Sequence, residues 1–439
     1  MLRNLFIAIS TGQNIANILP ILERAQPHDR VIWLESPLAS KRRWSESAST
    51  VLRQHGFIHQ EHRQLDSEDI ACLANSIHQL LKLYPKPAYF PIFIANGGTK
   101  LQALATYIHP ELALLYSLDR PCAYEWYPKG ILHTGERLTY QRHKLDLDDI
   151  LQLRGMERKN ADAACIWGKQ SAPPKLTWYG QNIPDTISLH DEHHAFGLQR
   201  VSNNPLPGDV LWTAVQQYQK PALEKLRTQL KTWGKGSIPS DGFLQNIALS
   251  LRKMFDNAAQ ALQSPGKSPQ QSLGSLFEQA VAQRTYQFLD GHPQIATFVQ
   301  SVWLNARIGK FGKEQPIVIE TDILLVLKNG VLVHLECKSH KADNKDLDAR
   351  LLNLQNVSSL QARMAICSPC YTAYTDKAWF RAQHEFKMRV ESLNAFTWLP
   401  FDLADQPQQY TLPGNEQPKQ YDCGRFETGL EKLLESFIA

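Results

Sequence analysis

In the stretch ETDILLVLKNGVLVHLECKSHK, residues 320–341, the charged side chains of Asp322, Glu336 and Lys338 interrupt what otherwise reads as a buried β-hairpin. Burying two carboxylates and an ammonium is costly unless they are paired or bound to something. Two registers are open. If Asn329-Gly330 is a two-residue turn, Asp322 pairs with Cys337 and Glu336 points to the opposite face. If the loop is Lys328-Asn329-Gly330 with Gly330 left-handed, Leu327 faces Val331, Asp322 lies opposite Glu336, and Lys338 shares their face. The second register is preferred, because it gathers both carboxylates where one divalent cation neutralises them. Carboxylate oxygens, with a backbone carbonyl from Cys337, suit Mg²⁺ or Mn²⁺ and leave positions for water and a phosphate oxygen. Lys338 then lowers the pKa of the attacking water or holds the scissile phosphate. The chemistry this predicts is metal-assisted hydrolysis of a phosphodiester.

A second stretch, FIANGGTK, is a strand that ends in Asn96, Gly97 and Gly98 before Thr99 and Lys100 open a helix. The glycines let a ligand approach the backbone, and the helix N-terminus with Thr99 and Lys100 suits a phosphate. A plain strand-to-helix turn is the ordinary alternative. The stretch lacks the GxxxxGK[ST] of a Walker loop, which argues against NTP hydrolysis. The first strand ends similarly, in Ser10-Thr11-Gly12-Gln13, at the same edge of the expected sheet.

The elements that must position these residues fall into two α/β regions. Apolar runs at 4–10, 30–36 and 89–95 alternate with helical periodicity in NIANILPILERA and in 67–84, for which Ser67 is the expected N-cap. A further helix, LQALATYI, and the segment ELALLYSL come next. This βαβ alternation predicts a doubly wound, mainly parallel sheet whose ligands collect at the strands' carboxyl ends. Residues 136–264 read as a connecting region with a helix over 243–263, and SPGKSPQQS (264–272) as a joint. Beyond it come the helix SLFEQAVAQRTYQFL, the charged hairpin, the helix DLDARLLNLQNVSSLQ and the strand RMAICS.

With 439 residues, 43% of them hydrophobic, the chain predicts two or three domains. A formal net charge of +4 decides nothing about nucleic acid by itself. Seven scattered cysteines fit a reduced, cytoplasmic protein, and no apolar run approaches the ~18 residues of a membrane span, so neither a signal peptide nor a membrane partner is expected.

Asp322, thirteen intervening residues, then Glu336-Cys337-Lys338 resembles the D…(E)xK signature of the PD-(D/E)xK restriction-endonuclease-like superfamily, with Thr321 where proline is usual. The resemblance implies a metal-ligating acid on a preceding helix, which Glu278 in GSLFEQAVAQ matches, so that Glu278, Asp322, Glu336 and the Cys337 carbonyl hold the metal and Lys338 joins them in catalysis. Gln355 or Gln361 would add a polar contact. The N-terminal loops resemble those of the CARF domain, the CRISPR-associated Rossmann-like sensor of cyclic oligoadenylates. That likeness implies a homodimer with a ligand pocket across its two-fold axis, lined by Ser10, Thr11 and Gln13 and by Asn96, Gly97, Gly98, Thr99 and Lys100. Lys41, Arg42 and Arg43 read as a solvated basic turn. A CARF-like domain over 1–135 joined to a nuclease domain over 265–439 looks like the CRISPR ancillary nucleases of type III systems. That resemblance implies a nuclease of DNA and/or RNA, activated by cyclic tetra-adenylate and dependent on Mg²⁺ or Mn²⁺. Two other readings stand beside it: a non-catalytic sensor or adaptor, and a ring nuclease that cleaves the cyclic oligoadenylate itself.

Among the remaining residues, His190, His193 and His194 form a polar run read as solvated, and Cys367-Ser-Pro-Cys370 lacks the second pair a zinc site needs. Trp126 and Tyr127 are offered either to a base or, more ordinarily, to packing.

Overall fold

The computed structural model describes residues 2–66, 69–97, 108–118, 122–141, 145–161, 163–168, 177–178, 181–182, 278, 281–282, 284–312, 314–337, 344–358, 362–369, 390, 396–401, 409–411, 420–422 and 426–438. The helices read over 101–108 and 243–263, the 264–272 joint, the His190–His194 run and Cys370 lie wholly or almost wholly outside them.

The first sheet comprises β1 (Arg3–Ile9), β2 (Arg30–Glu35), β3 (Gln60–Gln64), β4 (Tyr89–Ile94), β5 (Ala113–Ser117), β6 (Ala123–Tyr127) and β7 (Glu136–Thr139), ordered β3-β2-β1-β4-β5-β6-β7. The first five strands run parallel and the last two antiparallel, a Rossmann-like arrangement. It extends past residue 135 to Thr139. Helices α1 (Ile15–Arg24), α2 (Pro37–Arg42), α3 (Trp44–Gln54) and α4 (Ile70–Leu83) cross between strands. Leu5, Ile7 and Ile9 of β1 pack with Leu73, Ile77 and Leu80 of α4, whereas Phe6 and Ala8 share the opposite core with Ile18, Ile21, Val51 and Leu52. Burial on both faces is why β1 reads as an unbroken apolar run. The cap of α4 is Asp69, not Ser67: its side chain accepts from the Cys72 amide, and the helix begins at the next residue.

The second sheet takes β8 (Met156–Arg158) and β9 (Ala164–Trp167) from the connecting region, and a two-residue ladder, β10 (Thr177–Trp178) with β11 (Gln181–Asn182), comes after them in the chain. Its principal strands are β12 (Val299–Lys310), β13 (Ile317–Leu327), β14 (Leu332–Cys337), β15 (Arg363–Pro369) and β16 (Phe396–Phe401). Helical residues at 278, 281–282 and 284–291 precede β12. The antiparallel β12-β13-β14 meander is followed by α7 (Asn344–Val357), which returns the chain to β15, parallel to β14. Short helices α5 (Leu147–Leu153) and α6 (Pro293–Ala296) and the C-terminal α8 (Phe426–Glu435) complete the described helices used here. The expected helix over 346–361 thus ends at Val357, where Ser358 turns its hydroxyl to accept the Leu332 amide.

One apolar core runs through both sheets, uniting Phe6, Trp33 and Ile92 with Ala306, Ile308, Leu324, Val326 and Leu332. The partly buried His55 after α3 bonds the buried Asp149 of α5 at 2.9 Å. That hydrogen bond holds the His55 pKa above its ordinary value, against the opposing effect of partial burial. A raised folded-state value means the contact stabilises fully below the unfolded pKa of about 6.5 and fades as pH climbs through the folded one. Chemical denaturation across that window should show this decline in the wild type and a flatter profile in His55→Gln.

Candidate functional site

The hairpin adopts the three-residue loop. β13 and β14 pair Ile323 with Leu335, Leu324 with His334, Leu325 with Val333 and Val326 with Leu332. Leu327 N donates to Val331 O at 2.9 Å, and Gly330 sits at φ +76°. Continuing that register sets Asp322 opposite Glu336 on one face of the sheet.

The two carboxylates are held differently. Asp322 is half-buried, and its Oδ2 accepts the Cys337 amide at 2.7 Å, tying the end of β13 to the end of β14. Glu336 is fully buried; its Oε2 accepts from Arg350 Nη1 of α7 at 2.6 Å. Between them stands His334, also fully buried, which the reading of charged positions passed over. Its signal was present: His334 precedes Glu336 by two residues on a strand and therefore shares its face. The Asp322 amide donates to His334 Nε2 at 3.2 Å. His334 Nε2 also stands 3.4 Å from Glu336 Oε2.

Asp322, His334 and Glu336 each offer a ligand atom, and these atoms lie within 4.8 Å of one another. Two facing carboxylates in an apolar sheet form a donor set that fits a hard divalent cation. Glu278 lies close enough that its charge, with that of Asp322, helps raise the pKa of the buried Cys337 thiol, after the larger effects of burial and Cys367. Among the described residues the gathered ligand atoms are those of Asp322, His334 and Glu336; Glu278 is near enough to act on Cys337 but does not join that group. Lys338 and Gln361 lie outside the described residues; Gln355 is on α7.

The second group of predicted residues lies just beyond β1 and β4, the adjacent strands from which the chain departs in opposite directions; such a switch point opens a crevice. After β1, Thr11 N donates to Asn14 Oδ1 at 3.0 Å and Gln13 N to Thr11 Oγ1 at 3.2 Å. Asn14 caps the loop onto its surroundings, donating from Nδ2 to Trp44 O at 2.9 Å, while Asn17 Nδ2 donates to Ile9 O at 2.8 Å. Neither asparagine was singled out from sequence. The Ser10 hydroxyl and Asn17 Oδ1 are buried with no hydrogen-bond partner among the described residues, so the floor of this crevice keeps polar atoms available.

After β4, Asn96 clamps the end of β5: its Nδ2 donates to Ser117 O at 2.8 Å and its Oδ1 accepts from Ser117 N at 2.6 Å. Its side chain therefore shapes the loop. Gly97 is required by packing, since a Cβ there would overlap the Ile9 carbonyl oxygen. That glycine lets the two loops meet. Gly98, Thr99 and Lys100 are outside the described residues. Lys41, Arg42 and Arg43 are exposed at the end of α2, and Trp126 packs under the Arg24 guanidinium, 4.3 Å from ring centroid to Cζ.

No helix among the described residues is long and apolar enough to cross a membrane. No protein-family model matches the sequence, and no curated protein matches it. Solved structures do share the fold. Protein VC1899 from Vibrio cholerae aligns at TM-score 0.60 and 16% identity, covering 90% of this chain and 94% of its own. Can2 from Sulfobacillus thermosulfidooxidans, in complex with cyclic tetra-adenylate, aligns at TM-score 0.55 and 15% identity, covering 90% of this chain and 95% of its own. Both likenesses span nearly the whole of each chain, so the two-sheet architecture is shared as a unit.

Proposed function

We propose that this chain is a divalent-metal-dependent nuclease of type III CRISPR defence, switched on by a cyclic oligoadenylate and expected to take cyclic tetra-adenylate. The observation that carries the reading is the facing pair Asp322 and Glu336, on a hairpin whose sheet shares one core with a Rossmann-like sheet bearing polar switch-point loops. The full-length likeness to Can2, which holds cyclic tetra-adenylate, supports the sensor half. The order of elements, a helix with Glu278, three antiparallel strands, α7 and a parallel β15, supports the PD-(D/E)xK assignment of the other half.

Glu278, Asp322, Glu336 and the Cys337 carbonyl would hold Mg²⁺ or Mn²⁺, which when bound lowers the pKa of water and polarises the phosphodiester. Asp322 is aligned by the Cys337 amide, and the buried Glu336 is paired with Arg350. Lys338 is assigned to the scissile phosphate. Ser10, Thr11, Gln13, Asn96, Gly97, Gly98, Thr99 and Lys100 are assigned to the sensor pocket, completed by a second copy of the chain about a two-fold axis. DNA, RNA or both are the substrates, in the cytoplasm.

The test incubates the protein with labelled single-stranded RNA, single-stranded DNA and supercoiled plasmid, with Mg²⁺ or Mn²⁺, with and without cyclic tetra-adenylate. Metal-dependent cleavage that needs the activator is the expected result, and it identifies the substrate. Cutting without activator would overturn the sensor assignment. Binding of the activator with no cutting anywhere would leave an adaptor, and loss of the activator itself would identify a ring nuclease.

A further inference from the structure

Resting on the nuclease reading, we infer that Arg350 is a substrate-phosphate ligand of the same site, and that its contact with Glu336 is what aims it. Arg350 lies on α7, well beyond the hairpin in the chain, and no motif announces it. Its Nη1 donates to Glu336 Oε2 at 2.6 Å. The carboxylate at one end of this pair is 0% exposed, whereas the arginine side chain is 34% exposed. The Arg350 side chain therefore touches the buried floor of the site while remaining partly open to solvent, the side from which a polynucleotide must arrive.

A guanidinium carries five N–H donors in a fixed plane. Among the described residues the Glu336 bond is the hydrogen bond Arg350 makes, so donors remain on its open side. A planar fork anchored at one corner is suited to a phosphate oxygen, and anchoring by a buried carboxylate removes much of the rotamer entropy that binding would otherwise cost. His334 does not compete for this role. Its Nε2 accepts the Asp322 amide and the ring is wholly buried, so it presents no cation to solvent.

The test measures binding of fluorophore-labelled single-stranded DNA and RNA by anisotropy, with cyclic tetra-adenylate and with Ca²⁺ in place of Mg²⁺ or Mn²⁺. Wild type, Arg350→Lys and Arg350→Ala are compared across a salt series, with a melting curve for each. Losing a charged phosphate contact should weaken Arg350→Ala binding about tenfold. The slope of log affinity against log salt should fall by about 0.7 for a single strand. Arg350→Lys should keep the slope and recover part of the affinity. A variant that melts earlier while keeping the wild-type slope would reduce Arg350 to a counter-ion for Glu336 and overturn the inference, leaving the nuclease reading intact. A wild type that neither binds nor cleaves any of these strands would overturn both.

Discussion

Glu336→Gln should abolish cleavage while leaving the protein at least as stable as the wild type. The two halves of that result have separate causes. Glutamine is nearly isosteric and its amide oxygen still accepts from Arg350, so packing around the 0% exposed side chain is kept. Removing a fully buried charge relieves a desolvation cost, and the partly exposed arginine left behind can be solvated. Activity responds the other way. A neutral amide is a poor ligand for a hard cation, and losing metal-supplied stabilisation of about 4 kcal/mol corresponds to roughly 10³-fold in rate. Asp322→Asn should behave alike, since the amide oxygen can still accept the Cys337 amide. Cleavage assays paired with thermal melts check both halves at once. Retention of cleavage within tenfold would mean the hairpin carboxylates do not hold the metal.

The facing of Asp322 and Glu336 was legible in the sequence because both lie on a hairpin, where a period of two and one turn length determine which side chains face each other. Choosing Gly330 as the left-handed residue was enough to set Asp322 opposite Glu336. His334 obeys the same alternation, but a neutral imidazole does not stand out among apolar neighbours as a carboxylate does. Arg350 was hidden for a different reason: a residue on a later helix meets the strand only through tertiary packing, and neither spacing nor charge points to it. The fold was legible where burial is two-sided, as in β1, β2 and β4. It was illegible at β3, whose residues Gln60–Gln64 read QEHRQ: an edge strand packs on one neighbour, β2, and needs no apolar pattern. The long β12 was hidden likewise, since Gln300, Asn305 and Arg307 interrupt its apolar positions and Asn305 takes φ +52°. At the switch point beyond β1 and β4 the sequence drew attention to both loops, but not to the way Asn96 and Gly97 shape their contacts, because the partners Ser117 and Ile9 are distant along the chain.

Gly330→Ala should cost about 2–5 kcal/mol of stability, and the loss should divide into two separable parts. At φ +76° an L-residue is strained by about 1–2 kcal/mol. The added methyl would also overlap Ile15 Cδ1 and stand 2.9 Å from Ile15 Cγ1, and overpacking of this kind costs about 1–3 kcal/mol. Ile15 is the first residue of α1, directly after the Ser10–Asn14 loop, whereas Gly330 turns the hairpin that carries Asp322 and Glu336. The glycine thus serves the turn and the junction between the two sheets together. Ile15→Ala placed in the Gly330→Ala background should recover the overlap part and leave the backbone strain, whereas Ile15→Ala alone removes burial and destabilises. Denaturant titration of the four proteins gives the coupling directly. A cycle with no coupling would mean that Ile15 yields freely and that left-handed geometry alone requires glycine. A coupling of about 1 kcal/mol or more would place the first turn of α1 and the tip of the hairpin in one packing unit, so that a shift of the switch-point loop is felt at the base of the strands holding the carboxylates.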